Sequence, residues 1–256
     1  MAEDYAERRG RGEKIMTAVT IQQDLTGKSF EDIAIANIQK YEPDEGYYLA
    51  FSGGKDSIVI YDLAVRAGVK FDAHFSRTTV DPPEVLTFIR ENYPDVIWEK
   101  PRMSMYKLIL KKGMLPTRNA RFCCSELKEI GGPGRIVILG IRSQESTRRK
   151  NRKLFEQSYR CKSKWFLNPI LEWSNYDVWS YIRQHEIPYC SLYDDGAERI
   201  GCILCPMKTP RGMNWDAHRY PHHYQAYLNT VRKLIERGRY SGKTAEEVME
   251  WWINER

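Results

Sequence analysis

The chain has 256 residues, 42% of them hydrophobic, and its 40 Lys and Arg residues against 34 Asp and Glu residues give a net charge of +6. This composition supports a buried core and excludes a wholly disordered protein, and because no apolar run reaches about 18 residues it predicts no membrane-spanning helix. Six cysteines, and an N-terminus without the apolar stretch of a secretory signal, predict a cytoplasmic protein in which clustered cysteines favour metal binding or catalysis.

The first part of the chain alternates predicted helices and strands. Residues 1–14 are charged and predict a flexible arm, and the apolar spacing within residues 16–40 predicts a helix. The aromatic-rich run at residues 46–51 predicts a buried strand. Residues 57–68 have helical spacing and end in a glycine that is typical of a helix C-terminus.

The same alternation continues through the middle of the chain. Residues 69–77 predict a second strand, Pro83 suits the first turn of a helix, and residues 135–143 predict a third strand. Strands separated by helices of about ten residues indicate βαβ units and therefore a mostly parallel sheet. We expect this α/β domain to occupy residues 15–206.

The last quarter of the chain has a different character. It is rich in Trp, Tyr and Pro, and we expect residues 207–256 to form a helical C-terminal extension. Thr244 and Glu247 have the spacing of a capping box that opens the last helix.

The segment Ser52–Ser57, which reads SGGKDS, separates the first predicted strand from the following helix. Two glycines let the backbone turn sharply and approach a phosphate, and the N–H groups and dipole of the helix then face the anion. Ser52 and Ser57 supply hydroxyl groups, Lys55 supplies a positive charge, and Asp56 supplies a carboxylate for Mg²⁺ or for orienting the loop. The pattern predicts a phosphate-binding loop; the alternative is a glycine-rich turn with solvated Lys55 and Asp56.

Four cysteines form two pairs, Cys123 with Cys124 and Cys202 with Cys205. Four soft thiolate ligands suit an iron–sulfur cluster or zinc, and either requires the two pairs to come together in space. Free buried thiols are the plain alternative.

A zinc finger is a further alternative, because Cys202, Cys205, His218 and His222 have the spacing of its two cysteine and two histidine ligands. Proline and glycine residues between these ligands disfavour the strand and the helix of such a finger. We therefore favour the iron–sulfur cluster.

The SGGKDS loop resembles the PP-loop of the adenine nucleotide α-hydrolase superfamily, and further motifs resemble the phosphoadenosine phosphosulfate (PAPS) reductase family. The likeness is to the branch that contains iron–sulfur sulfonucleotide reductases and the ATP pyrophosphatases of DNA phosphorothioation. The matching motifs follow the family's order, and they are DPPEV (81–85), RFCCSELK (121–128), LGIRSQESTRR (139–149), NPILEWSNYDVWSYI (168–182) and IPYCSLYDDGAERIGCILCP (187–206).

This resemblance implies a doubly wound, mostly parallel α/β sheet with an adenine nucleotide at the carboxyl ends of its strands. The implied ligand is ATP or a sulfonucleotide, together with Mg²⁺. The expected nucleotide-binding residues are Ser52, Gly53, Gly54, Lys55, Asp56, Ser57, Asp81, Arg142, Glu145, Ser146 and Arg148.

The resemblance also implies a 4Fe-4S cluster held by Cys123, Cys124, Cys202 and Cys205. Lys128 matches a family lysine that lies between cluster and nucleotide, whereas a leucine replaces the basic residue that the family has before it. The expected catalytic residues are Lys55, Asp56, Lys128 and Arg142.

Basic residues crowd the end of the third predicted strand, and they are Arg142, Arg148, Arg149, Lys150, Arg152 and Lys153. Arginine binds phosphate through two parallel hydrogen bonds, so Arg142 and Arg148 are candidates to contact the nucleotide. The others are candidates to meet a 3′-phosphate or a nucleic-acid backbone, and the alternative is a solvated run of charges.

The family's reductases carry their nucleophilic cysteine near the C-terminus, whereas this sequence has no cysteine after Cys205. We therefore predict an ATP pyrophosphatase that adenylates an acceptor oxygen of nucleic acid, which sulfur from a persulfide donor such as a cysteine desulfurase then replaces. One alternative is a reductase of PAPS or adenosine phosphosulfate (APS) that uses Cys161 or Cys190 as a displaced nucleophile and a thioredoxin-like reductant. Another is a non-catalytic module that binds a metal and nucleic acid. The resemblance further implies a homodimer.

Overall fold

A computed structural model of the chain describes residue 27 and residues 29–255. The predicted arm at residues 1–14 and the first part of the helix predicted over residues 16–40 lie outside these residues. The described part of that helix, α1 (Phe30–Lys40), begins after Ser29, whose hydroxyl oxygen accepts a hydrogen bond from the Asp32 N–H group at 3.0 Å.

The strands of the described chain are β1 (Tyr47–Phe51), β2 (Phe71–Ser76), β3 (Ile97–Glu99), β4 (Ile136–Ile138), β5 (Phe155–Gln157) and β6 (Trp165–Leu167). They form one sheet in the order β3-β2-β1-β4-β6-β5. β1 pairs in parallel with β2 and with β4, β4 pairs in parallel with β6, and β5 pairs antiparallel with β6 at one edge. The prediction of a doubly wound, mostly parallel α/β fold is confirmed.

The remaining helices are α2 (Lys55–Ala67), α3 (Pro83–Asn92), α4 (Met105–Lys112), α5 (Phe122–Leu127), α6 (Thr147–Lys150), α7 (Asn175–Gln184), α8 (Pro210–Arg219), α9 (Pro221–Glu236) and α10 (Ala245–Asn254). α2 ends at Gly68 as predicted, because its last turn closes with a left-handed residue (φ 70°) that suits glycine. The capping box of Thr244 and Glu247 at the start of α10 is also confirmed.

Two predicted boundaries differ from the structure. α2 begins at Lys55, two residues before the predicted start, because the extended backbone of Gly54 caps the helix directly after the glycine turn. β4 is shorter than the strand predicted over residues 135–143. The Leu139 N–H group still donates to the Leu167 carbonyl at 3.0 Å, but the chain then leaves the sheet and forms a 3₁₀ turn at Ser143–Glu145.

The chain divides into two compact units. The first holds the described residues up to Phe75 together with Phe88–Ile97 and Gly132–Ala197, and the second holds Ser76–Thr87, Trp98–Gly131 and the chain from Glu198 onward. The core of the first unit is built around β1 and α2, and the fully buried Asp62 carboxylate within it accepts a 2.7 Å hydrogen bond from the Tyr181 hydroxyl.

The second unit has a core of its own beneath α4, α9 and α10. Trp252 is its largest fully buried side chain, and the indole N–H group donates to the Pro116 carbonyl at 2.7 Å. None of the helices in the described residues is both long enough and apolar enough to cross a membrane.

Candidate functional site

The segment Ser52–Ser57 follows β1 at the carboxyl end of the parallel strands. Strands β2 and β4 flank β1 on opposite sides, so the winding direction of the fold reverses at this strand. Such a switch point opens a crevice where α/β sheets bind their ligands. The backbone turns at Gly53 with φ of 71°, a value that suits glycine, and α2 begins two residues later.

The two serines of this loop bind the loop itself. The Ser57 hydroxyl donates to the Gly54 carbonyl at 2.8 Å and accepts hydrogen bonds from the Ser52 N–H group at 3.2 Å and from the Ser52 hydroxyl at 3.1 Å. This network joins the start of the loop to the first turn of α2. The serines thereby hold the glycine turn in one conformation.

Lys55 is the first residue of α2, and only 4% of its surface is exposed. Its N–H group donates to the Tyr193 hydroxyl at 2.8 Å, and its Nζ atom lies 5.8 Å from the centre of the Tyr193 ring. Sequence reasoning assigned no role to Tyr193, although the residue lies in the quoted motif IPYCSLYDDG. The tyrosine both supports the helix N-terminus and packs beside the lysine.

Asp56 joins the loop after β1 to the loop after β4. Its carboxylate accepts a 2.6 Å hydrogen bond from Arg142 Nε and lies 3.4 Å from Lys55 Nζ. Arg142 is 4% exposed, so this ion pair is largely desolvated. Gly140 permits the close approach, because a Cβ atom there would lie 2.7 Å from the Asp56 carbonyl oxygen.

Three other predicted nucleotide-binding residues follow Arg142 in the chain. The Glu145 carboxylate accepts a hydrogen bond from the Arg142 N–H group at 2.9 Å and forms an ion pair with Arg149. Ser146 caps α6 by accepting a hydrogen bond from the Arg149 N–H group at 3.3 Å, and Arg148 is exposed on that helix. Glu145 therefore positions the backbone of Arg142.

The four paired cysteines lie together in the second unit. Cys123 and Cys124 belong to α5, and Cys202 and Cys205 lie in the loop before α8. The Cys124 sulfur accepts hydrogen bonds from the Cys123 thiol and from Arg121, which lower its pKa to about 5. The same hydrogen bond to Cys124, together with burial, raises the pKa of Cys123, and the charges of Cys124, Cys202 and Cys205 raise it further.

Cations and a carboxylate accompany these thiols. Arg121 donates to the Cys124 sulfur at 3.4 Å. The negative charge of Cys202, with that of Asp81 and the other nearby thiols, raises the pKa of Lys128. Asp81, which was expected to bind nucleotide, is buried and accepts hydrogen bonds of 2.7 Å from both the N–H and the hydroxyl group of Thr78.

The loop between Cys202 and Cys205 is held at two backbone positions. The Ile203 N–H group donates to the Val80 carbonyl at 2.7 Å. Leu204 has a left-handed backbone (φ 54°), and its N–H group donates at 2.6 Å to Asp216, a fully buried carboxylate that also binds Lys208 Nζ at 2.6 Å. Sequence reasoning missed Asp216, because nothing in the spacing of residues 204–216 signals the contact.

The donor set suits an iron–sulfur cluster in its chemistry, since four mutually interacting thiols lie beside two cationic side chains. Within the described chain, however, no three His, Cys, Asp or Glu side chains are already arranged as a metal site. The zinc-finger alternative does not fit, because the two histidines lie exposed on different helices, His218 on α8 and His222 on α9.

The two remaining cysteines lie in the first unit and differ in solvent exposure. Cys161 belongs to the turn between β5 and β6, and its sulfur lies 3.3 Å from the Ser163 hydroxyl, a hydrogen bond that lowers the pKa of Cys161. This turn precedes β6, so it lies at the amino end of the parallel strands, opposite the Ser52–Ser57 loop. Cys190 is 1% exposed.

The predicted site residues thus divide into two groups. The first unit brings together the loop residues, Arg142 and Glu145, with Ser146 and Arg148 nearby in the chain. The second unit brings together the four paired cysteines, Lys128 and Asp81.

Comparison with known proteins identifies relatives over most of the chain. Residues 46–208 match the family model described as the phosphoadenosine phosphosulfate reductase domain. An adenosine 5′-phosphosulfate reductase of Bacillus anthracis is 27% identical over 185 residues, which cover 68% of this chain and 80% of that protein. An uncharacterised protein of Methanocaldococcus jannaschii is 29% identical over 203 residues, which cover 74% of this chain. The chain spans less than half the length of this relative and of a second one from the same organism.

Two solved structures share the fold. The phosphoadenylyl-sulfate (PAPS) reductase of Candida auris, in a phosphate complex, has a TM-score of 0.51 at 20% identity and covers 72% of this chain and 97% of its own. The FMN adenylyltransferase of Candida glabrata, in complex with FAD and inorganic pyrophosphate, has a TM-score of 0.50 at 14% identity and covers 85% of this chain and 78% of its own.

Proposed function

The chain belongs to the phosphoadenosine phosphosulfate reductase family, and on this premise we propose that it is an enzyme that cleaves ATP between the α- and β-phosphates. An acceptor oxygen of nucleic acid attacks the α-phosphorus, the bond to the β-phosphate breaks, and pyrophosphate leaves. The terminal sulfur of a persulfide donor, of the kind that a cysteine desulfurase provides, then attacks the activated position, and AMP leaves with the acceptor oxygen. A thioredoxin-like dithiol reduces the resulting disulfide, so that the sulfur stays on the nucleic acid, the donor cysteine leaves as a thiol and the dithiol becomes a disulfide. The protein would thereby support sulfur incorporation into nucleic acid.

The observation that carries this proposal is the position of the thiols in the first unit. A sulfonucleotide reductase needs a thiolate that reaches the sulfur of its bound substrate. Cys161 lies at the opposite end of the sheet from the Ser52–Ser57 loop, and β1 alone spans roughly 16 Å at the usual rise per residue. Cys190 is buried and therefore inaccessible to a substrate in solution. Adenylation needs no protein thiol, so the same loop supports it directly.

The residues of the loop have the charges that this reaction requires. We assign to Lys55 and Arg142 the stabilisation of negative charge that develops on the α-phosphate and on the leaving pyrophosphate. Asp56 holds Arg142 in place at 2.6 Å, and its second carboxylate oxygen is the proposed contact for Mg²⁺. Glu145 fixes the backbone of Arg142.

We propose a 4Fe-4S cluster on Cys123, Cys124, Cys202 and Cys205. With all four thiolates as ligands, such a cluster would supply a fixed local charge and would connect α5 to the loop before α8. Asp216 holds the loop of Cys202 and Cys205, and Arg121 hydrogen-bonds Cys124. Lys128 is the proposed cation near the cluster.

Pyrophosphate release tests the reaction. The protein is incubated with ATP and Mg²⁺, with and without single-stranded nucleic acid, and pyrophosphate is measured. We expect release by the wild type, loss in Lys55→Ala, and wild-type rates in Lys107→Ala, which removes an exposed lysine of α4. Release no higher than that of Lys55→Ala under both conditions would refute the proposal.

Anaerobic purification tests the cluster. We expect a brown protein with about four iron and four sulfide per chain, as in a 4Fe-4S centre. Cys202→Ser should lower both contents, whereas Cys190→Ser, which changes a buried thiol of the other unit, should leave them unchanged. Equal iron contents in the two variants, or zinc in place of iron, would count against the cluster.

A sulfonucleotide reductase is the second candidate, and the likeness to the Bacillus anthracis adenosine 5′-phosphosulfate reductase favours it. Its test is sulfite release from APS or PAPS in the presence of thioredoxin. Sulfite formation without pyrophosphate release from ATP would make this the function. Retention of sulfite formation in Cys161→Ser/Cys190→Ser would then exclude both thiols as the nucleophile.

A further inference from the structure

Positive charge is concentrated in one short segment of the first unit. Residues 148–164, which we call the basic edge, hold eight Lys or Arg residues and a single acidic residue, Glu156. Their surplus of positive charge exceeds the net +6 of the whole chain, so the rest of the protein is close to neutral. Positive charge at this density in one segment of the chain points to an anionic partner.

The basic edge follows the outer strand of the sheet from one end to the other. It begins with α6, at the carboxyl end of the parallel strands where the Ser52–Ser57 loop also lies. β5 then runs antiparallel to β6 along the edge, and the turn at residues 158–164 lies at the opposite end. The exposed basic side chains are spread along this path, and they are Arg148, Lys150, Lys153, Arg160 and Lys162.

Two of the less exposed members of the set form ion pairs with neighbouring acids. Arg149 forms an ion pair with Glu145, and Arg152 forms one with Glu156. Both arginines are half-buried. The five exposed cations form an extended track instead of a compact cluster, and this shape fits the spaced phosphates of a polynucleotide chain.

An aromatic side chain lies at the far end of this track. Tyr159 is 79% exposed, and the Arg160 guanidinium lies 5.4 Å from its ring centre. Trp165, which is 37% exposed, stacks on Phe155 at 5.0 Å, and Phe155 stacks on Tyr41 at 4.5 Å. A single exposed ring is ordinary on a protein surface. An exposed ring beside an arginine on a basic track is the combination that stacks unpaired bases.

We propose that the basic edge binds a single-stranded segment of nucleic acid, with phosphates along the exposed Lys and Arg side chains and an unpaired base on Tyr159. One end of the bound strand would then lie at the carboxyl end of the sheet, which also carries the ATP loop. The role of this strand as the acceptor of the adenylyl group rests on the proposed function. The binding of a single strand to the basic edge does not rest on it.

Fluorescence anisotropy without ATP measures the binding. The probes are labelled oligonucleotides about 12 nucleotides long, a length within the site sizes of single-strand binders, offered as single strands and as duplex. We expect tighter binding of the single strands and affinity that falls steeply with salt. Lys150→Glu/Lys162→Glu should weaken binding about tenfold or more and flatten the salt dependence. Lys107→Glu/Lys233→Glu makes the same change of net charge at exposed positions of the second unit, and it should retain wild-type affinity within about twofold.

The tyrosine is tested separately. Tyr159→Ala should weaken single-strand binding about tenfold, the loss of one stacked base, whereas Tyr159→Phe should remain within about twofold of the wild type. Thermal melting confirms that each variant is folded. Equal losses in the basic-edge and control double variants, equal affinity for duplex and single strand, or tighter binding to phosphatidylserine vesicles would overturn the inference.

Failure of this inference and failure of the proposed function give different results. Lys55→Ala lies outside the basic edge and should bind the oligonucleotide normally while releasing no pyrophosphate. If wild-type protein binds the oligonucleotide through the basic edge but never releases pyrophosphate, the inference stands and the proposed reaction is wrong. If pyrophosphate is released but the Lys150→Glu/Lys162→Glu variant binds single strands as the wild type does, the proposed reaction stands and the inference about the basic edge is wrong.

Discussion

The Nε atom of Arg142 lies 2.6 Å from a carboxylate oxygen of Asp56, although 86 residues separate the two in the chain. Asp56 lies in the first turn of the helix after β1, and Arg142 lies in the loop after β4. Because β1 and β4 are neighbours in the sheet, the pair bridges the two loops that border the switch point of the fold. The candidate phosphate site is therefore built from two distant segments that this ion pair connects.

Removal of Arg142 should destabilise the protein. Arg142 and Asp56 side chains are 5% and 18% exposed, so Arg142→Ala leaves a poorly solvated carboxylate without its main partner. We expect the free energy of unfolding to fall by about 3 kcal/mol. Urea denaturation measures the loss, and Arg148→Ala, at an exposed position of the same segment, should change stability by less than about 0.5 kcal/mol. An Arg142→Ala/Asp56→Asn variant no more stable than Arg142→Ala would show that the two residues are not coupled.

Gly140→Ala should damage the loop without changing any charge. The added Cβ atom would lie 2.7 Å from the Asp56 carbonyl oxygen, which belongs to backbone and cannot rotate away. We expect a loss of about 1–3 kcal/mol in stability and weaker ATP binding, measured by thermal melting and by calorimetric titration. Gly201→Ala is the matched control, because a Cβ atom there meets nothing within 4 Å. Similar melting temperatures for the two variants would contradict the clash.

Asp216→Asn should loosen the loop that carries Cys202 and Cys205. The buried carboxylate binds the Leu204 N–H group at 2.6 Å and Lys208 Nζ at 2.6 Å, and the neutral amide leaves the lysine without its anion. We expect a loss of about 2–4 kcal/mol in unfolding free energy and a lower iron content after anaerobic purification. Asn214→Ala, at a half-buried position on the same helix, is the control. Unchanged iron content in a destabilised Asp216→Asn protein would restrict this residue to a structural role.

Glu31 should make stability depend on acid pH. The hydrogen bond from His185 Nε2 at 2.9 Å and the charge of Arg66 hold the pKa of Glu31 below its usual value of 4.5. A depressed carboxyl pKa adds stability that is complete above about pH 4.5 and is lost as the pH falls through the folded-state pKa. Glu31→Gln should therefore be less stable than wild type at pH 7, and the difference in unfolding free energy should shrink as the pH falls below about 4.5. Denaturation at several pH values measures this, with the exposed Glu236→Gln as control, and a gap that stays constant with pH would contradict it.

Local patterns were enough to predict β1, β2 and β4, the glycine turn after β1, the end of α2 at Gly68 and the capping box that opens α10. They did not predict the short strands β3, β5 and β6. The boundaries of α2 and β4 were less accurate, because a cap at Gly54 and the departure of the chain after Leu139 depend on neighbouring strands. Tyr193 illustrates the same limit, since its hydroxyl meets the Lys55 N–H group from 138 residues away.

The amino-acid sequence alone determined the family, the fold class and the two cysteine pairs, Cys123 with Cys124 and Cys202 with Cys205. Each of these is recognised from short motifs whose residues lie close together in the chain. Tertiary structure decided which partner each functional group has. It placed Arg142 on Asp56, Asp216 under the cysteine loop and Cys161 at the far end of the sheet from the phosphate loop. Such contacts depend on the order of the strands in the sheet and on the burial of charged side chains that are far apart in the chain. The spacing of nearby residues does not reveal either feature.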